Sequence, residues 1–280
     1  MSAHRTVIEA GTANGRYWRD LWEFRGLFYF LAWRDVLVRY KQTTIGVAWS
    51  VLRPLLTLLA MAVIGWLFSS SVPAGIPRLL LVAAATLPWT FFSTAFSEAA
   101  NSLIANSNLL TKVYFPRLIV PVSTVIVCLI DFLISFLILL GLMFWYQFTP
   151  GPQLLLLPVF LLLALVTALG SGLLIAALNV KYRDFRYVVP FLVQFGLYAS
   201  PVAFSSADIY GNPRVPEWVQ LLYSLNPMVG VIDGFRWCIL GGQTPLYSTG
   251  FALSIAISAL MLVVGIGYFR RMERSFADVI

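Results

Sequence analysis

An ionised carboxylate inside an apolar helix is costly enough to need a reason, so the acids come first. Asp131 lies near the middle of the apolar run 118–147, and Glu98 at the inner end of the run 79–97. A proton relay uses several such groups in series. No second acid shares the depth of Asp131 along the sequence, which favours a paired or hydrogen-bonded structural role inside a helix bundle. Other catalytic chemistry is sparse. The single histidine is His4, which excludes Ser-His-Asp and Cys-His sets and histidine-based metal sites. Cys128 and Cys238 lack CxxC spacing, and no disulfide is expected. No GxxxxGK[ST] phosphate loop occurs, so any ATP-driven work needs nucleotide and magnesium on another subunit, and no cofactor is expected on this chain.

The elements that must position these residues follow from composition. With 60% hydrophobic and 11% charged residues, the chain reads as an integral membrane protein. Apolar runs near 47–68, 79–97, 118–147, 153–180, 188–204 and 248–269 predict six transmembrane helices, the fifth at the lower limit for a span. Continuous apolar blocks, without period-two alternation, argue against a β-barrel. Orientation follows from the basic residues, which are retained on the cytoplasmic side. With the N-terminus inside, fifteen of the nineteen fall in cytoplasmic segments, against Arg78, Arg214 and Arg236 outside and Arg53 within the first span. Both termini are then cytoplasmic, the tail being 270–280.

Residues 1–46 lack the head, apolar run and cleavage site of a signal peptide. WRDLWEFRGLFYFLAWRDVLVRYKQ interleaves aromatics and charges at helical spacing, which predicts an amphipathic helix lying in the membrane interface. It serves either as a surface anchor or also as a collar touching a cytoplasmic partner. The polar insertion 98–117 carries Asn101, Asn106 and Asn108 beside Leu109, Leu110 and Lys112. A helix here extends span two into the cytoplasm and presents a knob to a partner, unless the segment is a plain connector. Arg183, Asp184 and Arg186 form a second basic cytoplasmic segment, readable as a topology signal or a contact.

Within the external loop 205–247, the stretch LLYSLNPMVGVIDGFRWCILGG has about 14 helix-compatible residues, too few for a bilayer core of about 20. Asn226 suits an N-cap, Pro227 the first turn, and Gly241–Gly242 a sharp exit. Met228, Val231, Ile232 and Phe235 recur at helical spacing, and Asp233 and Arg236 are placed to pair on one face. The stub either dips into the membrane beside a wet vestibule or lies flat outside.

The order of these blocks, with WRDVLVRYKQTTIGVAWSVLRP at 33–54, NLLTKVYFPRLIVP at 108–121 and YRDFRYVVPFLVQFGLYASPVAFS at 182–205, resembles the ABC-2-type permeases. Within them it is most similar to the branch that exports lipid-linked polysaccharides such as O-antigen, related to teichoic-acid and capsule exporters. The resemblance covers about residues 20–275. It implies an all-α integral membrane protein with six transmembrane helices and short external re-entrant helices between spans five and six. It further implies a homodimer in the bacterial inner membrane carrying two nucleotide-binding ATPase subunits, with 98–113 as the coupling helix and an undecaprenyl-linked polysaccharide as substrate; nucleic acid is not an expected partner. Residues 227–240 then form an external gate, sealed by Met228, Val231, Ile232 and Phe235. Sugar rings stack on aromatic planes, which makes Trp66, Phe68, Phe91, Phe92, Phe96, Phe195, Tyr198 and Phe204 candidates for the channel wall, although aromatics at helical spacing more often pack between helices. Alternatives are a small-lipid or drug exporter of the same superfamily, or a membrane-embedded glycan transferase. A proton-coupled transporter would need internal repeats and several buried ionisable groups, which are not found.

Overall fold

The computed structural model describes residues 14–41, 46–68, 75–182, 184–273 and 276. His4 and Arg183 lie outside the described residues, as does the side chain of Phe68. Among those described, all regular structure is helical. Four helices are long and apolar enough to cross a membrane: α4 (Arg78–Ala105), α6 (Ile119–Trp145), α7 (Leu157–Lys181, entered through a 3-10 turn at Pro152–Leu156) and α12 (Ser248–Glu273). The protein is a multi-pass membrane protein.

The other two expected spans are shorter. The apolar part of α3 (Gly46–Phe68) is Val51–Leu67. α8 covers only Phe185–Ala199, 15 residues. It starts before the expected 188 and stops before 204, because Pro201 clashes with a helical residue ahead of it. Ser200 is accordingly extended, at φ −107° and ψ 152°.

The N-terminal segment is two helices, α1 (Asn14–Glu23) and α2 (Arg25–Lys41), rather than one. They leave Trp18, Trp22, Tyr29, Phe30 and Trp33 exposed, while Leu31 is buried. α2 packs along α6. The polar insertion continues α4 to Ala105, breaks at Asn106 (φ −109°, ψ 21°) and restarts as α5 (Ser107–Lys112). After α8 come α9 (Ala207–Tyr210), α10 (Glu217–Ser224) and α11 (Pro227–Ile239).

Among the described residues, two large apolar clusters hold the bundle, with a small third one of Phe96, Ala100, Ile175 and Val189 between them. The larger joins α4, α6, α7 and α11. The second gathers Leu31, Leu103, Leu110, Phe115, Ile119, Leu173 and Phe269 at the other end of the long helices. α7 packs most extensively on α12 and α4. α7 and α12 meet where Gly170 and Gly265 face each other; a Cβ at either position would overlap the opposing backbone. Small residues of this kind let membrane helices approach closely where hydrophobic burial gives little drive.

Candidate functional site

Asp131 is not alone in space. α2 lies against α6 so that Arg39 and Tyr40, near its end, reach into the bundle. Arg39 Nη1 donates to Asp131 Oδ2 at 2.6 Å and Nη2 to Glu98 Oε1 at 2.7 Å. The Tyr40 hydroxyl donates to Asp131 Oδ1 at 2.6 Å. One guanidinium thus bridges two carboxylates from two helices, which its planar fork allows and an ammonium does less well. The three charged side chains are 27%, 45% and 30% exposed, neither dry nor in open solvent. Glu98 stood out in the sequence, whereas Arg39 and Tyr40 read only as parts of the surface helix. The cluster joins residues 59 and 92 positions apart, a pairing that local periodicity does not encode.

This cluster borders a cavity of about 920 Å³. α3 contributes Arg53, Pro54 and Thr57. α4 presents Thr90, Ser93, Thr94, Ser97 and Glu98, a polar stripe at three-to-four-residue spacing, with the aromatic rings of Trp89 and Phe91 beside it. α6 adds Asp131, Phe132 and Ser135, and α8 adds Val193 and Leu197. Some of the hydroxyls are satisfied on their own helices: Thr90 donates to Leu87 O at 2.9 Å, Ser93 to Thr90 O at 3.1 Å and Ser135 to Asp131 O at 2.9 Å. Their oxygens remain able to accept. Among the described residues no group of His, Cys, Asp and Glu is arranged to hold a metal ion. The lining offers a polar ligand hydroxyls, charged groups and ring edges.

The expected channel aromatics divide. Of the eight, Phe91 lines the cavity, edge-to-face with Phe132 at 5.6 Å between centroids. Phe92 and Phe96 stack on each other at 5.8 Å, and Phe96 is buried among helices. Phe204 packs against Tyr223. Trp66, Phe195 and Tyr198 are exposed on α3 and α8. Trp89 and Phe132, not singled out from sequence, do border the cavity. Helical spacing identifies a face but does not say which neighbour that face meets.

The coupling residues divide too. Asn101 and Asn106 work inside the protein: Asn101 Oδ1 accepts from Asn179 of α7 at 3.2 Å, and Asn106 Oδ1 accepts from Arg34 of α2 at 2.8 Å. Leu110 is buried in the second cluster, so it anchors α5 rather than offering itself to a partner. Asn108, Lys112, Val113 and Tyr114 form the exposed face, and Leu109 is partly buried. Asp184 and Arg186 are exposed at the start of α8. Arg117, just past α5, is tied to the end of α12: its backbone N–H donates to Glu273 Oε1 at 2.7 Å and its Nη1 to Glu273 O at 2.8 Å.

α11 has the anticipated cap. Asn226 Oδ1 accepts from Met228 N at 3.0 Å, and its Nδ2 donates to Ser200 Oγ at 2.9 Å, fixing the entry of α11 to the end of α8. Gly241 and Gly242 take φ of +64° and +81°, where a side chain would be strained. Its surroundings are the bundle itself, and no side chain of the expected sealing face lies open. Met228, Val231, Ile232 and Phe235 are at most 1% exposed, and α11 packs against α12, α4 and α7. Nor do Asp233 and Arg236 form a direct ion pair. Arg236 donates to three carbonyls, Leu81 O (3.3 Å), Phe204 O (2.9 Å) and Val202 O (3.2 Å), while Asp233 Oδ1 accepts from Ser206 Oγ at 2.8 Å. Two of these carbonyls lie in the turn that follows α8 and the third lies on α4, so the guanidinium joins three elements. Burial pushes the Asp233 carboxyl up to about 6, against the opposing pull of the Arg236 charge and the Ser206 hydrogen bond.

Long apolar helices around a polar cavity define a multi-pass membrane protein, and residues 26–240 match the family model described as ABC-2 type transporter. The chain belongs to that family. It is 29% identical over 263 residues to the O-antigen export system permease protein RfbA of Myxococcus xanthus, covering 94% of this chain and 98% of that protein. An RfbA permease of the same description from Klebsiella pneumoniae is 26% identical over 255 residues, covering 88% of this chain and 92% of the relative.

Proposed function

We propose that this chain is the permease subunit of an ATP-driven exporter that carries lipid-linked, O-antigen-like polysaccharide from the cytoplasm across the bacterial inner membrane. The observation that carries the reading is end-to-end similarity to O-antigen export permeases, without large unmatched segments on either side. The cavity supports it. Hydroxyls and ring edges offer a sliding glycan many weak contacts and no single tight one.

In this reading α3 and α8 complete six spans with the four long helices, and both termini are cytoplasmic. Two copies of the chain close the channel across α3 and α8, where Trp66, Phe195 and Tyr198 then face the path. Two ATPase subunits supply ATP and magnesium and dock on the exposed face of α5, at Asn108, Lys112 and Tyr114, beside Asp184 and Arg186. Movement of α5 reaches the cavity through α2, which holds Asn106 by Arg34 and Glu98 and Asp131 by Arg39. α11, enclosed at the opposite end, acts as the external gate only by moving as a body with its neighbours.

The test is reconstitution. The purified chain alone should hydrolyse no ATP, and co-expression with the ATPase subunit of the same operon should yield a complex whose hydrolysis responds to lipid-linked glycan. A complex that does not form, or whose hydrolysis responds to small lipids and not to glycan, contradicts the assignment.

A further inference from the structure

Arg53 sits inside the apolar stretch of α3, a position where a charged side chain is expensive unless it meets water or a counter-ion. It is exposed toward the 920 Å³ cavity. Among the described residues no carboxylate or other side chain engages it; the two acids of the cavity are both taken by Arg39. Thr94 and Ser97 border the same cavity, and neither hydroxyl is spent on another described residue. Among the described residues, the cavity therefore holds one uncompensated guanidinium with two free hydroxyl donors on the facing helix. That set matches a phosphate group, whose oxygens accept a bidentate guanidinium and further O–H donors.

The flanks indicate what carries the phosphate. Leu52, Leu56 and Leu59 on α3 and Phe191 and Leu192 on α8 are exposed apolar side chains on the helices that border the cavity. A hydrocarbon tail can rest there while a polar head turns inward. We propose that Arg53, with Thr94 and Ser97, holds the phosphate linker joining lipid to glycan. This subsite deepens the exporter reading and rests on it for the identity of the glycan.

The test is binding of farnesyl pyrophosphate to the permease–ATPase complex in nanodiscs, with farnesol and phosphatidylglycerol as comparison ligands. Arg53→Gln should weaken farnesyl pyrophosphate binding by at least about tenfold, as expected for one lost charge-assisted contact. Arg53→Lys should recover part of the affinity, Thr94→Val with Ser97→Ala should weaken it by a smaller factor, and farnesol binding should not change in any variant. Unchanged pyrophosphate binding in Arg53→Gln overturns the proposal, as does an equal loss of farnesol binding, which would mark a packing defect. Equal competition by phosphatidylglycerol also overturns it, since the site would then serve bulk lipid headgroups. Arg53-dependent pyrophosphate binding in a complex that leaves glycan export untouched when deleted would instead leave the subsite standing and remove the exporter reading.

Discussion

At the residue scale, the account turns on charges held away from bulk water. Asp131 accepts hydrogen bonds from Arg39 and Tyr40, so an amide at 131 can keep one accepting oxygen for them. Asp131→Asn is expected to retain more export than Asp131→Leu, which leaves both donors unmet at a cost of about 1–3 kcal/mol. Surface glycan and thermal unfolding measured together check this; equal and complete loss in both variants, with export following the proton gradient at clamped ATP, would revive a relay. Asp233 makes a pH prediction with a definite sign. Its carboxyl is raised from 3.8 to about 6, so its ionised form is the disfavoured one in the folded protein. The stabilisation from proton uptake is fully present below pH 3.8 and lost as pH rises through about 6. The apparent Tm of Asp233→Asn should therefore exceed that of the parent at pH 7.5, and the gap should close toward pH 4.5. A gap independent of pH would mean that Asp233 does not titrate in this range. Asp131 was conspicuous in the sequence because an acid interrupts an apolar run. Arg39 was not, because an arginine in a mixed aromatic and basic helix has no local signal of a partner 92 positions away.

At the element scale, the clearest distinction lies within α5. Leu110 points into the cluster with Leu31, Phe115 and Phe269, whereas Lys112, and Tyr114 just past the helix end, face outward. Leu110→Asp should destabilise the protein by about 2–5 kcal/mol, as buried polar substitutions do, and lower its yield in the membrane. Lys112→Glu should leave yield and Tm unchanged but weaken co-purification of the ATPase subunit at low salt. Equal effects of the two on yield would contradict this division of faces. Helices of spanning length were legible because long apolar runs bounded by charge and proline have one reading in a membrane. The end of α8 was not, because apolar residues continue through Val202 and Phe204 while Pro201 has already broken the helix. α11 shows both sides. Its cap and glycine exit follow from Asn226, Pro227, Gly241 and Gly242, but its enclosure by α4, α7 and α12 depends on contacts distant in sequence.

At the scale of the whole molecule, one chain offers a polar cavity, an exposed face on α5 and hydrogen bonds through α2 that join them. Arg34 ties α2 to the break before α5, and Arg39 ties the same helix to both acids of the cavity. Arg117 fastens the other side of α5 to the end of α12. In the proposed reading, a push on α5 loads α2 and α12 together. The family and the general class of helical membrane protein were legible from block order and apolar runs. The cavity was not, because it is assembled from five helices whose polar positions look scattered along the chain. The central claim is that the protein moves a finished polymer rather than building one. Deleting its gene in the host and fractionating the glycan tests this most directly. The account predicts that O-antigen disappears from the cell surface while lipid-linked polymer of normal length accumulates on the cytoplasmic side, both reversed by the intact gene. Surface glycan at parental levels, or its loss without accumulation of any lipid-linked polymer inside, would contradict it.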